Sequence, residues 1–286
     1  MTQVPSVIRF VLSGHADQYS SLGAVSCAHQ WMAKPCSRED LLRAIERACS
    51  IRDLHENPAL ERAVGSIGAL PVLPEPYRSI LERISDPESS VSEIADLVVE
   101  DPALCARFLQ IVNSAFYGLP TTVVDVGNAI SLLGLKAVSQ ILLSSGSFHV
   151  LGPDAKRAGF SYAELQRDSV IVSRLASSLV TDATDAASAT TAGMLHDLGC
   201  LLFVRSRGSE FVQLVREASR RGIPQWRLEQ LNFGMTHAEV GGVLLGIWGL
   251  PLDVVEAVAF HHSPQSLQAD TINAAVAVHL ARTLLD

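Results

Sequence analysis

Two kinds of hydrophobic pattern divide the chain. Near the N-terminus the apolar residues come in short unbroken runs. One is Val7-Ile-Arg-Phe-Val-Leu12, closed by Ser13-Gly14; the other is Gln30-Trp-Met-Ala33, closed by Lys34-Pro35. Runs of this length, rich in β-branched and aromatic residues and ended by turn formers, predict buried strands. Ser37-Arg-Glu-Asp40 then carries the chemistry of a helix start, followed by apolar positions at Leu41, Leu42, Ile45 and Ala48. Strand, helix, strand, helix is the signature of two βα units in a parallel sheet.

Past residue 70 the pattern changes. Ser90, Asp101-Pro102, Ser161, Thr236 and Asp253 each offer an N-terminal cap, and apolar residues three and four apart follow each one. That spacing predicts helices throughout the remainder. Between the two regimes, Gly65 to Pro76 is crowded with glycine and proline and reads as a linker. The expected architecture is therefore mainly α. Residues 1–62 form a truncated α/β fragment, 63–76 a connection, and 77–286 an all-helical domain.

Composition narrows the function. Of 286 residues, 48% are hydrophobic and 18% charged, and the formal net charge is −8. Such a balance fits helices buried on most sides and argues against charge-driven binding of nucleic acid. The longest apolar stretch, Val240 to Phe260, is interrupted by Pro251, Asp253 and Glu256, so no membrane span is expected. Five cysteines form no CxxC pair, which suits thiols in a reducing cytoplasm. The N-terminus lacks the features of a signal peptide.

The strongest chemical signal is His196-Asp197, set inside an apolar run, Ala192 to Gly199, that is expected to be helical. An imidazole beside a carboxylate in apolar surroundings suits a divalent metal that activates water against a phosphate ester. His237, His261 and His262 add imidazoles downstream. Their simplest role is to cap helix ends or hydrogen-bond within a polar pocket. Asn113 and Ser114, followed by Gly118, read as a tight interhelical turn whose side chains satisfy backbone groups. Trp248 and Phe260 read as core aromatics.

Two family resemblances arise from these motifs. Leu12-Ser-Gly-His15 and Lys34-Pro35, each after a strand, resemble the end of a response-regulator receiver domain, a flavodoxin-like fold. The resemblance implies that Ser13 and Lys34 contact a phosphoryl group on an aspartate. The acceptor aspartate and the acidic pair of that family would lie upstream of Met1, so this fragment is not expected to take a phosphoryl group. It also implies an unpaired edge on the first strand, which is expected to be covered by a second copy of the chain, or else the segment is expected to be poorly ordered.

The second resemblance rests on Val112–Gly118, Asn128–Gly134, Gly193–Gly199, His237–Leu245, Trp248–Pro251 and His261–Pro264. Together they are similar to the HDOD domain, the HD-related output domain of bacterial signalling proteins. It implies an all-helical fold and a signalling role. Working HD phosphohydrolases hold a metal with an early His, the His-Asp pair and a late Asp. Here Asp168 aligns with the early position and Arg282 with the late one. A guanidinium in place of a carboxylate would repel a cation and could pair with Asp197 or Asp168.

The expectation is thus a vestigial site of Asp168, His196, Asp197 and Arg282, with no catalytic residues, no cofactor and no metal. Were a metal present, His196, Asp197, Asp168, His237 and His261 would be its ligands, with His279 a substitute if the alignment slips. The expected function is a non-enzymatic output module of a two-component system. It would dock a protein partner such as a kinase, an enzyme or a transcriptional regulator. The rival readings are a metal-dependent phosphohydrolase acting on a nucleotide or cyclic dinucleotide, and a small-ligand sensor.

Overall fold

The computed structural model describes residues 10–14, 30–34, 89–113, 122–144, 160–267 and 272–285, with isolated positions at 36, 38, 41, 42, 45, 80, 83 and 119. The expected linker, Ser114 and Gly118 lie outside the described residues.

Strand β1 (Phe10–Gly14) pairs in parallel with β2 (Gln30–Lys34). Ser13 and Gly14, expected to end the first strand, continue it instead. Ladder partners Ala33 and Lys34 keep both residues in register.

The helices follow their caps. In α1 (Val91–Val98), Ser90 and Glu93 form a reciprocal capping box. For α2 (Pro102–Val112), Asp101 Oδ1 accepts the Leu104 amide at 2.9 Å, and proline at the first position needs no amide partner. Helix α3 (Val126–Ser144) is broken at Gly134, whose φ of 73° only glycine adopts readily. Helices α4 (Tyr162–Leu179) and α5 (Ala183–Leu195) start from Ser161 and Asp182. Then come α6 (Leu198–Arg207), α7 (Ser209–Arg221), α8 (Gln225–Phe233), α9 (His237–Ile247) and α10 (Leu252–Phe260). A 3₁₀ turn at Pro264–Leu267 precedes α11 (Ala274–Leu285).

Two expectations change here. Asp253 does not cap α10. Pro251 occupies that position with φ −56°, and Asp253 lies in the first turn, where its carboxylate accepts the Ser188 hydroxyl of α5. The run Ala192–Gly199 is not one helix either. It breaks at His196-Asp197, where Asp197 leaves helical geometry at φ −97°, ψ 11°.

The core of the helical domain is one apolar cluster, with Phe108, Phe203, Phe211 and Leu195 fully buried. Helix α4 lies along α5, and α11 packs on both; α10 packs on α5, α9 and α11, while α6 packs on α9. Ala183–Arg207 is long and apolar enough to cross a membrane. It comprises two helices, and its most apolar window is 83% buried in the fold, as expected of core helices.

Candidate functional site: a buried imidazole cluster

The helix break places the site. Because α5 ends and α6 begins at His196-Asp197, the two side chains project from a corner between helices. Asp197 occupies the N-cap position of α6 but makes no side-chain cap bond, so its carboxylate is left for other partners. Two imidazoles face it: His196 Nε2 lies 3.3 Å from Oδ2, and His237 Nε2 lies 3.1 Å from Oδ1.

His237 reaches this corner because α6 and α9 almost touch. A Cβ on Gly199 would lie 2.0 Å from the His237 carbonyl oxygen, so no other residue fits at that crossing. Thr236 caps α9 with a second capping box, fixing where the helix starts and hence where His237 points. Gly193 does the same for α5, since its Cβ would lie 2.6 Å from Ser173 Cα on α4.

Glu229 of α8, fully buried, completes the arrangement. Its Oε2 accepts both the His237 amide at 2.8 Å and His237 Nδ1 at 2.7 Å; its Oε1 accepts Gln225 Nε2 at 2.7 Å. Glu229 was not among the expected site residues. A lone acid in a helix with Leu228 and Phe233 carries no local mark of burial.

His261 and His262 close α10 onto the same place. His262 Nε2 lies 3.0 Å from His237 Nε2, and the His262 ring stacks on Trp226 at 5.6 Å between centroids. The His261 ring lies 3.9 Å from that of His262 and 5.2 Å from that of His196. Behind them, His279 of α11 donates its Nδ1 proton to the His261 carbonyl at 2.7 Å.

Electrostatics separate the imidazoles. Burial works to strip the proton from His237, but Glu229 and Asp197 outweigh it and hold its pKa at about 10. Burial would raise Asp197; His196 and His237 overcome this and hold its carboxyl well below the usual range. His261 is lowered well below the ordinary imidazole value by burial, then by His196 and His237. His262 is lowered too, by burial and then by His261 and His237. Burial pushes the Cys200 thiol up, Asp197 and Glu229 add to that, and Arg282 opposes them.

The expected residues divide accordingly. His196, Asp197, His237, His261 and His262 come together. Asp168 does not join them: Arg167 holds its carboxylate at 3.0 Å, and its side chain is 26% exposed. Its neighbour Ser169 is fully buried, with a hydroxyl that has no partner. Arg282 is half-buried on α11, within electrostatic reach of Cys200. For Ser13 and Lys34 the structure gives backbone positions, at the C-terminal ends of β1 and β2. A separate cleft of about 200 Å³, lined by Val99, Cys105, Val170, Arg174 and Met194 among others, includes no histidine.

Fold and site together define an all-helical domain organised around a histidine-aspartate corner. The HDOD domain profile matches residues 70–264, and the chain belongs to that family. The match includes the whole imidazole cluster and ends before α11. An uncharacterized protein of Treponema pallidum is 28% identical over 197 residues, which is 69% of this chain and 38% of that protein, so the chain spans well under half of that relative. Among solved structures, the MmoQ response regulator of Methylococcus capsulatus is 27% identical with a TM-score of 0.62, over 76% of this chain and 85% of that one. A virulence factor of Campylobacter jejuni shares the fold at a TM-score of 0.66 and 19% identity, over 80% of this chain and 84% of that one.

Proposed function

We propose that this chain is a non-enzymatic output module of a bacterial two-component pathway. It would pass its signal by docking a protein partner, a kinase, an enzyme or a transcriptional regulator, on the outside of the helical domain. One observation carries the non-enzymatic reading: the imidazole cluster is mostly enclosed, with only Asp197 and His262 partly exposed. His196, His261 and Glu229 are fully buried, and His237 is 3% exposed. A hydrolytic metal site keeps a coordination position open to water and substrate, whereas a closed site serves structure. Phosphohydrolysis is the reading the imidazoles themselves favour, and their enclosure weighs against it.

The parallel pair β1–β2, with Ser13 and Lys34 at the strand ends, supports reading residues 1–62 as the last two βα units of a receiver. The 27% identical neighbour described as a response regulator supports the same context. On this reading the chain works in the cytoplasm and binds no nucleic acid directly.

The test has two arms. Nucleoside phosphates, cyclic dinucleotides and a chromogenic phosphodiester are offered with Mn²⁺, Zn²⁺ or Co²⁺. The expected result is no turnover above that of Asp197→Asn. In the second arm, partners captured on the full chain are identified and the complex reconstituted from pure components. A 1:1 complex retained by Asp197→Asn supports docking away from the cluster. Metal-dependent turnover abolished in Asp197→Asn would replace this reading with a hydrolase.

A further inference from the structure

We propose that the helical domain binds a second copy of itself head to tail, the arginine-rich edge of α7 and α8 on one copy meeting the acidic outer face of α1 on the other.

Charge is spread unevenly over this chain. Its formal net charge is −8, yet residues 205–227 hold six arginines against two glutamates. All six arginines are exposed. A cationic island on an anionic protein gives the surface field a direction. Residues 91–101 are the converse, with four acids and no base. One of the four, Asp101, is buried as the cap of α2, which leaves Glu93, Asp96 and Glu100 exposed.

Helix geometry gathers each set. Glu93, Asp96 and half-buried Leu97 stand at i, i+3 and i+4, so they share one side of α1, and Glu100 follows just past its end. Arg216 and Arg220 are four apart on α7, as are Arg227 and Leu231 on α8. The two helices pack on each other, and Arg220, Arg221 and Arg227 bracket the turn at Gly222-Ile223-Pro224 that joins them. Leu231 is 80% exposed. Each face thus sets charge beside an apolar side chain, the composition of a contact surface.

The independent observation is how few of these charges are paired within the chain. On α7, Glu217 takes Arg220 at 2.8 Å and Arg221 at 3.7 Å. Among the described residues no ion pair engages Arg216, Arg227, Glu93, Asp96 or Glu100. The Arg227 guanidinium instead lies over its neighbour Trp226, 5.2 Å from the ring centroid, which holds it in place. One copy does not satisfy its own faces: α1 packs on α3, whereas α7 packs on α6 and α8.

The occupant follows from the same charges. A nucleic acid or an anionic lipid surface would meet the negative charge of the whole domain. A second copy presents the matching acidic face, and only one relative orientation brings opposite signs together. Two different faces in contact make a heterologous interface. Exposed ion pairs each contribute little and are screened by salt, so the association is weak and salt-sensitive.

The test follows the full chain by sedimentation equilibrium. At about 50 mM salt the average mass should rise with protein concentration, and at about 500 mM it should fall to that of a single chain. Arg216→Glu with Arg227→Glu, and separately Asp96→Lys with Glu100→Lys, should each weaken association at least about tenfold, because like charges then face each other. The two variants move the net charge in opposite directions, so a loss shared by both belongs to the faces and not to overall repulsion. Mixed in equal amounts they should associate again, since one carries two basic faces and the other two acidic ones. Each must first melt near wild type. A wild type that stays monomeric at low salt, wild-type association by either variant, or a mixture that stays monomeric overturns the proposal. A monomeric wild type that binds a short single-stranded oligonucleotide or an anionic vesicle through Arg216 and Arg227 gives the arginine face to that ligand instead. The reconstituted partner complex is read separately, so self-association and partner docking can each fail alone.

Discussion

Two polar junctions sit inside this helical domain, and they are built on opposite rules. Between α2 and α3, Asn113 clamps the chain in both directions. Its Nδ2 donates to the Val123 carbonyl at 2.7 Å, and its Oδ1 accepts the Val123 amide at 2.7 Å. Thr191 on α5 donates to the neighbouring Val124 carbonyl at 2.8 Å. Between α6, α8, α9 and α10, by contrast, six ionisable side chains converge and two buried nitrogens, His196 Nε2 and His261 Nε2, lack hydrogen-bonding partners. Polar groups that close on one another hold a loop in place. Hydrogen-bond satisfaction is what separates the two junctions: complete at Asn113, incomplete at His196 and His261.

The largest break in that contrast comes from Glu229. It accepts from His237 and Gln225 with no exposure to water. Replacing it by leucine strands a buried imidazolium and a buried amide. Removing one partner of such a pair costs about 3–5 kcal/mol. Chemical denaturation should show a loss of that size, and Glu229→Gln a smaller one. A Glu229→Leu protein as stable as wild type would mean that His237 sheds its proton without cost.

Gly199→Ala comes next. The new methyl would meet the His237 carbonyl at 2.0 Å, a backbone atom that cannot step aside without moving α9. Overpacking of this kind costs about 1–3 kcal/mol. The displacement also draws His237 from Asp197, so the His237 imidazole resonance should titrate well below the wild-type value of about 10. A destabilised protein with an unchanged His237 titration would show that the crossing sets stability but not site geometry.

Asn113→Ala tests the other junction. Two hydrogen bonds to Val123 are lost, and the backbone groups there are left unpaired, a cost of about 1–3 kcal/mol. The imidazole resonances should not move. Any change in the His237 titration would couple two regions that the hydrogen bonds keep separate.

How far the sequence revealed each junction follows from how local its cause is. Ser90, Asp101, Ser161 and Thr236 all cap where their own side chains can reach the third amide ahead, an interaction contained in four residues. The break at His196-Asp197 was not legible. No proline marks it, Gly193 and Gly199 stand to either side of it, and α6 packs on α9 just beyond it. Asp168 lies on the outer side of α4, paired with Arg167. A helix turns by about 100° per residue, so the buried face carries Ser169 instead. Glu229 was invisible because its meaning lies in His237, one helix away. The helical class was readable from periodicity; the meeting of the imidazoles required tertiary contacts.

The smallest effect lies where the satisfied junction is itself incomplete. Asp101 caps α2 through Oδ1, yet its Oδ2 is buried without a partner, and so is the Tyr162 hydroxyl. Burial raises the Asp101 pKa above its ordinary 3.8, against the opposing hydrogen bond from Leu104. The folded state therefore holds the Asp101 proton more tightly than the unfolded chain does. Its contribution to stability is full below pH 3.8 and is lost as pH rises through the raised folded value. Asp101→Asn keeps the cap acceptor and removes the buried charge, and asparagine and aspartate cap about equally well. At neutral pH the variant should lie within about 1 kcal/mol of wild type, on the stabilised side. The difference between the two proteins should shrink as pH falls toward 4, as read from denaturant midpoints along a pH series. A difference that instead grows on acidification would mean that the ionised carboxylate is the stabilising form, and that α2 is held by a charge the fold was built to keep.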